Sequence, residues 1–235
     1  MAEGSLTGIA LVGETCLYAR LGVTDYLEAW ELQKAIARRR GEGSLPDVLV
    51  LMEHPHTYTL GRRGKGSDVL VGEETLERLG VGVFRVDRGG EVTYHGPGQV
   101  VGYPIVDLRP MGGPVRYVRA LEELLIDTLG EFGLDAGREP GLTGVWVGRE
   151  KIAAIGIRVS RGITTHGFAL NVNPDLSYFG HIVPCGIHDR GVTSMERLLG
   201  GRVALERVAE RLVHRFGLLL HRRMVEVPAG QLLEA

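Results

Sequence analysis

The sequence predicts a layered α+β domain, and three observations carry that expectation. Strand-like apolar segments come in two runs instead of alternating one for one with helices. Amphipathic helical stretches precede, separate and follow those runs. The 235 residues show no repeat, charge block, low-complexity stretch or compositional break, so residues 1–235 read as a single domain.

Each element has its own signal. After Thr24 and Asp25, residues 26–40 place Leu27, Trp30, Ala35 and Ile36 near one face, and Gly41 follows a basic last turn, which predicts a helix. DVLVLMEH (47–54) is a short apolar run that reads as a buried strand. VGVFRVDR (81–88), EVTYH (91–95) and QVVGYPIVDL (99–108) are β-rich pieces separated by Gly-Gly and Gly-Pro-Gly turns. Pro114 opens a second helix with Val115, Val118, Leu121, Leu124, Leu125, Thr128 and Leu129 at helical spacing and Gly133 as its stop. TGVWVG (143–148), KIAAIGIRVS (151–160) and ITTHGFALNV (163–172) return to period two and predict a three-strand meander. Ser194 caps a short helix at 195–199, and 205–220 forms a terminal amphipathic helix.

Composition narrows the function classes. A net charge of −2 offers no global attraction to nucleic acid or an anionic membrane. The first residues lack the basic and apolar regions of a signal peptide, and no apolar run is long enough to span a bilayer, so a soluble, cytoplasmic protein is expected. Two cysteines, Cys16 and Cys185, are too few for a disulfide framework. Glycine, at 35 residues, is about twice its average usage, which implies many tight turns or backbone-lined sites. Of 27 basic residues only Lys34, Lys65 and Lys151 are lysine, which makes a lysine in a special context conspicuous.

Three features carry candidate chemistry. RGGEVTYHGPGQVVGYP (88–104) brackets a polar aromatic pair, Tyr94-His95, with two glycine turns where backbone can approach a ligand closely. Neither a P-loop nor an opening GxGxxG is present, so the classic phosphate sites are disfavoured. Cys185 sits between Pro184 and Gly186 in a glycine-spaced stretch that reads as a loop, either as an inert buried thiol or as a nucleophile. Lys151 opens an apolar strand, where strict alternation puts it on one face with Ala153, Ile155 and Ile157. It is either an exposed hairpin-end lysine paired with Glu150 or a partner that stabilises the Cys185 thiolate and later acts as a base. Cys185-x-x-His188, with His54 and His56, makes only a weak metal case, and no metal is expected. No GxSxG elbow supports a serine hydrolase.

RGGEVTYHGPGQVVGYPIVDL, KIAAIGIRV, THGFALNVNPDLSYF and IVPCGI, in that order between 88 and 187, closely resemble the lipoyl(octanoyl) transferases of lipoate biosynthesis. HPHTYTLGRRG (54–64) and GVTSMERLLG (191–200) resemble flanking segments of the same family. The resemblance implies the biotin/lipoate protein ligase fold, a central mixed sheet flanked by helices. It implies an acyltransferase that moves an octanoyl group from acyl carrier protein to a lysine of lipoyl domains, the first step of endogenous protein lipoylation. The acceptors would be the lipoyl domains of 2-oxoacid dehydrogenases and the glycine cleavage H protein, with no cofactor beyond the carrier's phosphopantetheine. It assigns Cys185 as nucleophile and Lys151 as its activator. It assigns acyl binding to Arg88, Gly89, Gly90, Glu91, Val92, Thr93, Tyr94 and His95, to Ala154, Ile155 and Gly156, and to Gly167, Phe168 and Ala169. The rival on the same scaffold is an ATP-dependent lipoate or biotin ligase, and a silent lipoyl-domain binding module is the alternative from another class.

Overall fold

A computed structural model describes residues 15–183 and 190–233. Its strands fall into two sheets. The large one runs β12-β1-β2-β6-β10-β9-β8-β7, with β11 set beside β9. In chain order these are β1 (Thr15–Val23), β2 (Asp47–Glu53), β6 (Gln99–Ile105), β7 (Gly137–Glu139), β8 (Leu142–Val147), β9 (Glu150–Ser160), β10 (Ile163–Asn171), β11 (Gly191–Val192) and β12 (Arg223–Glu226). The small one is β4-β3-β5, from β3 (Thr57–Leu60), β4 (Gly82–Arg85) and β5 (Val92–His95). Parallel pairs (β12–β1, β1–β2, β9–β11) and antiparallel pairs coexist in the large sheet, which is therefore mixed.

Helices cover both faces of the large sheet, and this explains the unbroken apolar run in β2. Leu49 and Leu51 join the core under α3 (Pro114–Gly130) and α5 (Leu205–Leu220), while Val48, Val50 and Met52 join the core under α1 (Tyr26–Gly41). Asp25 caps α1 by accepting from the Leu27 and Glu28 amides at 2.8 and 3.3 Å. Ser194 caps α4 (Met195–Leu199), as its sequence position suggests, by accepting from the Arg197 amide at 3.2 Å. A six-residue helix, α2 (Glu73–Arg78), lies between β3 and β4.

Several expectations are revised. The buried face of α1 is Tyr26, Ala29, Gln33 and Ile36, not Leu27, Trp30, Ala35 and Ile36; Leu27 is exposed. The rotation follows from two buried polar side chains that an apolar stripe does not count: the Tyr26 ring stacks on Phe84 and His95, and Gln33 Oε1 accepts from the His166 amide at 2.7 Å. On α3, Val115 is exposed in the first turn, and Tyr117 and Glu122 are buried instead. The β-rich pieces 81–88, 91–95 and 99–108 divide between the two sheets. Gly96-Pro97-Gly98 passes the chain from β5 in the small sheet to β6 in the large one, with Gly98 at φ +89°. The Gly98 carbonyl accepts from the amides of Val172 and Asn173, and its amide donates to Glu53 Oε2, so this joint is fixed on three sides.

Candidate active site

A cavity of about 360 Å³ lies between the small sheet, the 88–91 loop and strands β9 and β10. The loop is held by Arg88, which is buried. Its Nη2 donates to the carbonyls of Thr59 and Glu91, its Nε to Thr59 Oγ1, and its Nη1 to the Gly89 carbonyl. Backbone bonds from Gly61, Arg62 and Arg63 to Glu91, Arg88 and Gly90 lock the loop to the end of β3. On its other side the Gly89 amide donates to the Ile157 carbonyl at 2.9 Å. β8 pairs with β9 only as far as Val145 and Ala153, so the loop takes up the β9 edge beyond that point. A Cβ on Gly156 would stand 2.9 Å from the Gly89 carbonyl oxygen; glycine there seats the loop against the strand. A Cβ on Gly167 would meet the Gly102 carbonyl at 2.2 Å, so that glycine serves the β10–β6 approach as well.

Lys151 is 8% exposed, which removes the hairpin-end reading, and Glu150 lies 3.6 Å from Arg197 instead. Its Nζ stands 4.8 Å from the centroid of the Trp146 ring, a contact that orients an ammonium group. The strict alternation expected for β9 fails at this residue. Ala153 is in the α3–α5 core and Ile155 and Ile157 pack against it while also touching the cavity wall, but Lys151 lines the cavity with Ala154, Gly156 and Ala169 and is not part of that core. The cause is a β-bulge: Val145 pairs with Ala153 and its neighbour Trp146 with Lys151, leaving Ile152 as the extra residue. Gly144, at φ +126°, makes room beside it, since a Cβ there would lie 3.3 Å from Lys151 Cε and 2.7 Å from the Ala153 carbonyl. The Gly144 amide is in turn held by Glu122 Oε1, a fully buried carboxylate that also accepts from Arg119 and Arg138.

Cys185 lies outside the described residues, as does His188. The chain after it pairs with the lysine strand: Val192, seven residues on, is opposite Lys151, and the Thr193 amide donates to the Lys151 carbonyl at 3.0 Å. Cys16 is a free buried thiol whose pKa burial pushes far up, which suits an inert core residue.

Of the other sequence-predicted residues, Arg88 through Thr93, His95, Ala154, Ile155, Gly156, Gly167, Phe168 and Ala169 all line the cavity. Tyr94 does not. It sits on the other face of β5, fully buried, stacked on Tyr178 and bonded through its hydroxyl to His56 Nδ1 at 2.8 Å. In the GRRGKG loop only Arg63 reaches the cavity wall; it is exposed and 3.7 Å from Glu91.

Apart from His95, the buried floor went unread in the sequence. It is made by Tyr26, His95, Tyr103 and His166. His54 Nδ1 donates to the Thr24 carbonyl at 2.7 Å, so its Nε2 accepts from the Tyr103 hydroxyl, also at 2.7 Å. His166 Nε2 is 2.7 Å from Asp87, which Arg158 also contacts. Burial lowers the pKa of His54 and of His166, the latter despite Asp87, and pushes His95 well below the ordinary range. Burial alone would raise Asp87; the hydrogen bond and charge of His166 and the Arg158 charge outweigh it and hold that carboxyl below its ordinary value. Trp146 was equally unread; only its distance from Lys151 reveals it.

This fold and cavity define a class. The sequence profile of the Lipoyl protein ligase A/B catalytic domain matches residues 25–217, and the chain belongs to that family. Within it, the chain is similar to octanoyltransferases: 55% identical over 202 residues to that of Solibacter usitatus (strain Ellin6076), covering 86% of this chain and 91% of the relative. It is 52% identical to the octanoyltransferase of Rubrobacter xylanophilus, covering 83% and 89%. It is an acyltransferase enzyme. Solved structures show the same fold at low identity. A lipoate-protein ligase A bound with ATP has a TM-score of 0.73 at 20% identity, covering 94% of this chain and 92% of that one. A bi-partite lipoate protein ligase from Thermoplasma acidophilum has a TM-score of 0.70 at 17%, covering 94% and 91%. Among the described residues, no helix is long and apolar enough to cross a membrane.

Proposed function

We propose that the enzyme takes an octanoyl group from the phosphopantetheine thioester of an acyl carrier protein and gives it to one lysine of a lipoyl domain, by way of a thioester on Cys185. The observation that carries this reading is Lys151, a buried lysine re-aimed by a bulge into a cavity lined by the segments assigned to the acyl chain. Further support is that the chain returns to Lys151 seven residues after Cys185.

The chemistry runs in two exchanges. The Cys185 thiolate attacks the donor carbonyl, the carrier thiolate leaves and takes a proton, and an octanoyl thioester remains on Cys185. The neutral amine of the acceptor lysine then attacks that carbonyl, an amide forms, and Cys185 leaves. The Lys151 ammonium stabilises the thiolate first and, once it has surrendered its proton, receives one from the incoming amine. Thioester exchange is nearly balanced and amide formation is downhill, so neither ATP nor a cofactor of the enzyme's own is needed. Burying the alkyl chain contributes roughly 5 kcal/mol at about 0.8 kcal/mol per methylene. The acceptors are the lipoyl domains of 2-oxoacid dehydrogenases and the glycine cleavage H protein, and Arg62, Arg63 and Lys65 are offered to an acidic carrier surface.

Intact-mass spectrometry tests the route. Incubation with octanoyl carrier protein should add about 126 Da, the mass of an octanoyl group on the nucleophile, mapped to Cys185. The mass should disappear in Cys185→Ser, and transfer should proceed without ATP. An unmodified wild-type enzyme under turnover, or transfer that requires ATP, would overturn the reading in favour of a ligase.

A further inference from the structure

In the acyl-transfer reading the Lys151 ammonium and the Cys185 sulfur must come within hydrogen-bond reach of one another, and they belong to different stretches of chain. Whatever fixes one stretch against the other decides how well they meet. Backbone pairing does part of it. Trp146 on β8 and Val192 on β11 are the partners of Lys151 on its two sides, and Asn171 Nδ2 donates to the Thr193 carbonyl at 2.9 Å, so residues 192 and 193 are held beside β9.

One side chain makes a tie nearer the nucleophile. Arg190, five residues after Cys185, has its guanidinium carbon 5.8 Å from the centroid of the Trp146 ring, the same ring that the Lys151 ammonium approaches to 4.8 Å. Its Nη2 donates to Glu139 Oε1 at 2.6 Å. Glu139 ends β7, the edge strand at this side of the large sheet, and β7 pairs with β8 through Gly137 and Trp146. The arginine therefore reaches from the β11 side of β9 past the Trp146 ring to the edge strand. Both cations stand within the distance at which an aromatic ring attracts a positive charge. Two cations at one ring repel each other, and the Glu139 carboxylate offsets the second charge, so the guanidinium can bear on the ring without driving the ammonium off it. A planar guanidinium suits this place, since it can lie against a ring while its fork bonds a carboxylate.

We infer that Arg190 is a positioning residue for acyl transfer, a strap that with Glu139 sets Trp146 against Lys151 and keeps the chain leading from Cys185 in register with it. The inference rests on the acyl-transfer reading above and deepens it.

The test measures kcat and KM with octanoyl carrier protein for Arg190→Met, Glu139→Gln and the double variant, following acyl-enzyme by intact mass. The pair is only partly buried, its side chains 20% and 24% exposed, so each variant should fold. The expected change in Tm is within about 3 °C. Each single variant should lower kcat about tenfold, the scale of a small misplacement of an acid–base group, with KM held within about twofold. Because the two residues act as one strap, the double variant should lie within about twofold of either single. With Trp30→Phe as background Trp146 is the only tryptophan, and Arg190→Met should change its emission spectrum. An arginine that instead docks an acidic carrier surface would raise KM with kcat held and would have no need of Glu139. That outcome, additive losses, or an unchanged emission overturns the strap while leaving acyl transfer standing. Should Arg190→Met fail to fold, Glu139→Gln decides alone, and a wild-type kcat in it overturns the strap. Failure of the wild-type enzyme to form an acyl-enzyme overturns both readings.

Discussion

Two glycines that touch one another across the cavity wall should respond unequally to the same methyl group. In Gly156→Ala the new Cβ falls 2.9 Å from the Gly89 carbonyl oxygen and 3.2 Å from Arg88 Cδ. Neither neighbour has room to yield: Gly89 is tied to Ile157 by its amide, and Arg88 is held by its bonds to Thr59. The loop must lift by about half an ångström, a strain of the overpacking kind that costs about 2 kcal/mol. For a chain of this size that is a fall in Tm of about 4–8 °C. The same displacement moves the wall against which the acyl chain lies, so kcat/KM should drop about 10- to 100-fold. In Gly89→Ala the new Cβ has only the Ile157 carbonyl nearby, at 3.4 Å, an ordinary contact. That variant should keep its Tm within about 2 °C and its activity within about threefold, as uncrowded substitutions do. Differential scanning fluorimetry and an octanoyl-transfer assay read both. If Gly89→Ala proves the more damaging, or if Gly156→Ala behaves as wild type, the loop is not seated on β9 by the contact described.

Lys151→Met keeps the side chain's length without its charge and should lower transfer by about 10²- to 10⁴-fold, the range for losing a positioned acid–base group, with Tm held or raised; a wild-type rate would remove Lys151 from the chemistry. Glu122→Ala frees Arg119, Arg138 and the Gly144 amide; because both arginines can rehydrate, the cost should be about 2–3 kcal/mol by urea unfolding, below the figure for a fully buried pair. Stability should fall on acidification from pH 6.5, since His54, His95 and His166 stay neutral in the fold but take up protons when unfolded. Each contributes up to about 1.4 kcal/mol per pH unit until the pH reaches its lowered native value. Asp87, depressed from 3.8, adds its own loss only at still lower pH. A Tm that is flat between pH 7 and pH 5 would contradict neutral histidines in the floor.

Elements whose signal is local were legible in the sequence. The caps at Asp25 and Ser194, the apolar run of β2 and the hairpins joining β8, β9 and β10 announce themselves within a few residues, and the order of segments identified the family. Pairings between distant segments were not. β12 is a four-residue strand that exists through parallel pairing with β1, across some 200 residues of chain. β3, only four residues long, becomes the centre of a sheet because β4 and β5 flank it. The cavity floor was hidden for a related reason. Gln33, Tyr103 and His166 are buried with polar partners from other elements, and Tyr26 with the rings of Phe84 and His95, and apolar periodicity does not register them. Tyr94 was assigned by its place in a motif, while the direction of its side chain depends on which face of β5 meets the other sheet.

The bulge in β9 makes the position of the ammonium a matter of counting. Side chains along the strand can be exchanged for others of similar size while Lys151 keeps its aim, because the aim is set by the pairing of Trp146 and Val145 and not by any neighbour's identity. Register is another matter. Even pairing of the two strands with every residue kept, Trp146 opposite Ile152, would turn the charge toward the apolar layer beneath α3. Removing Ile152, by contrast, sets Lys151 directly beside Ala153 and leaves it facing the cavity, so what the charge depends on is that the extra residue stays inside the bulge.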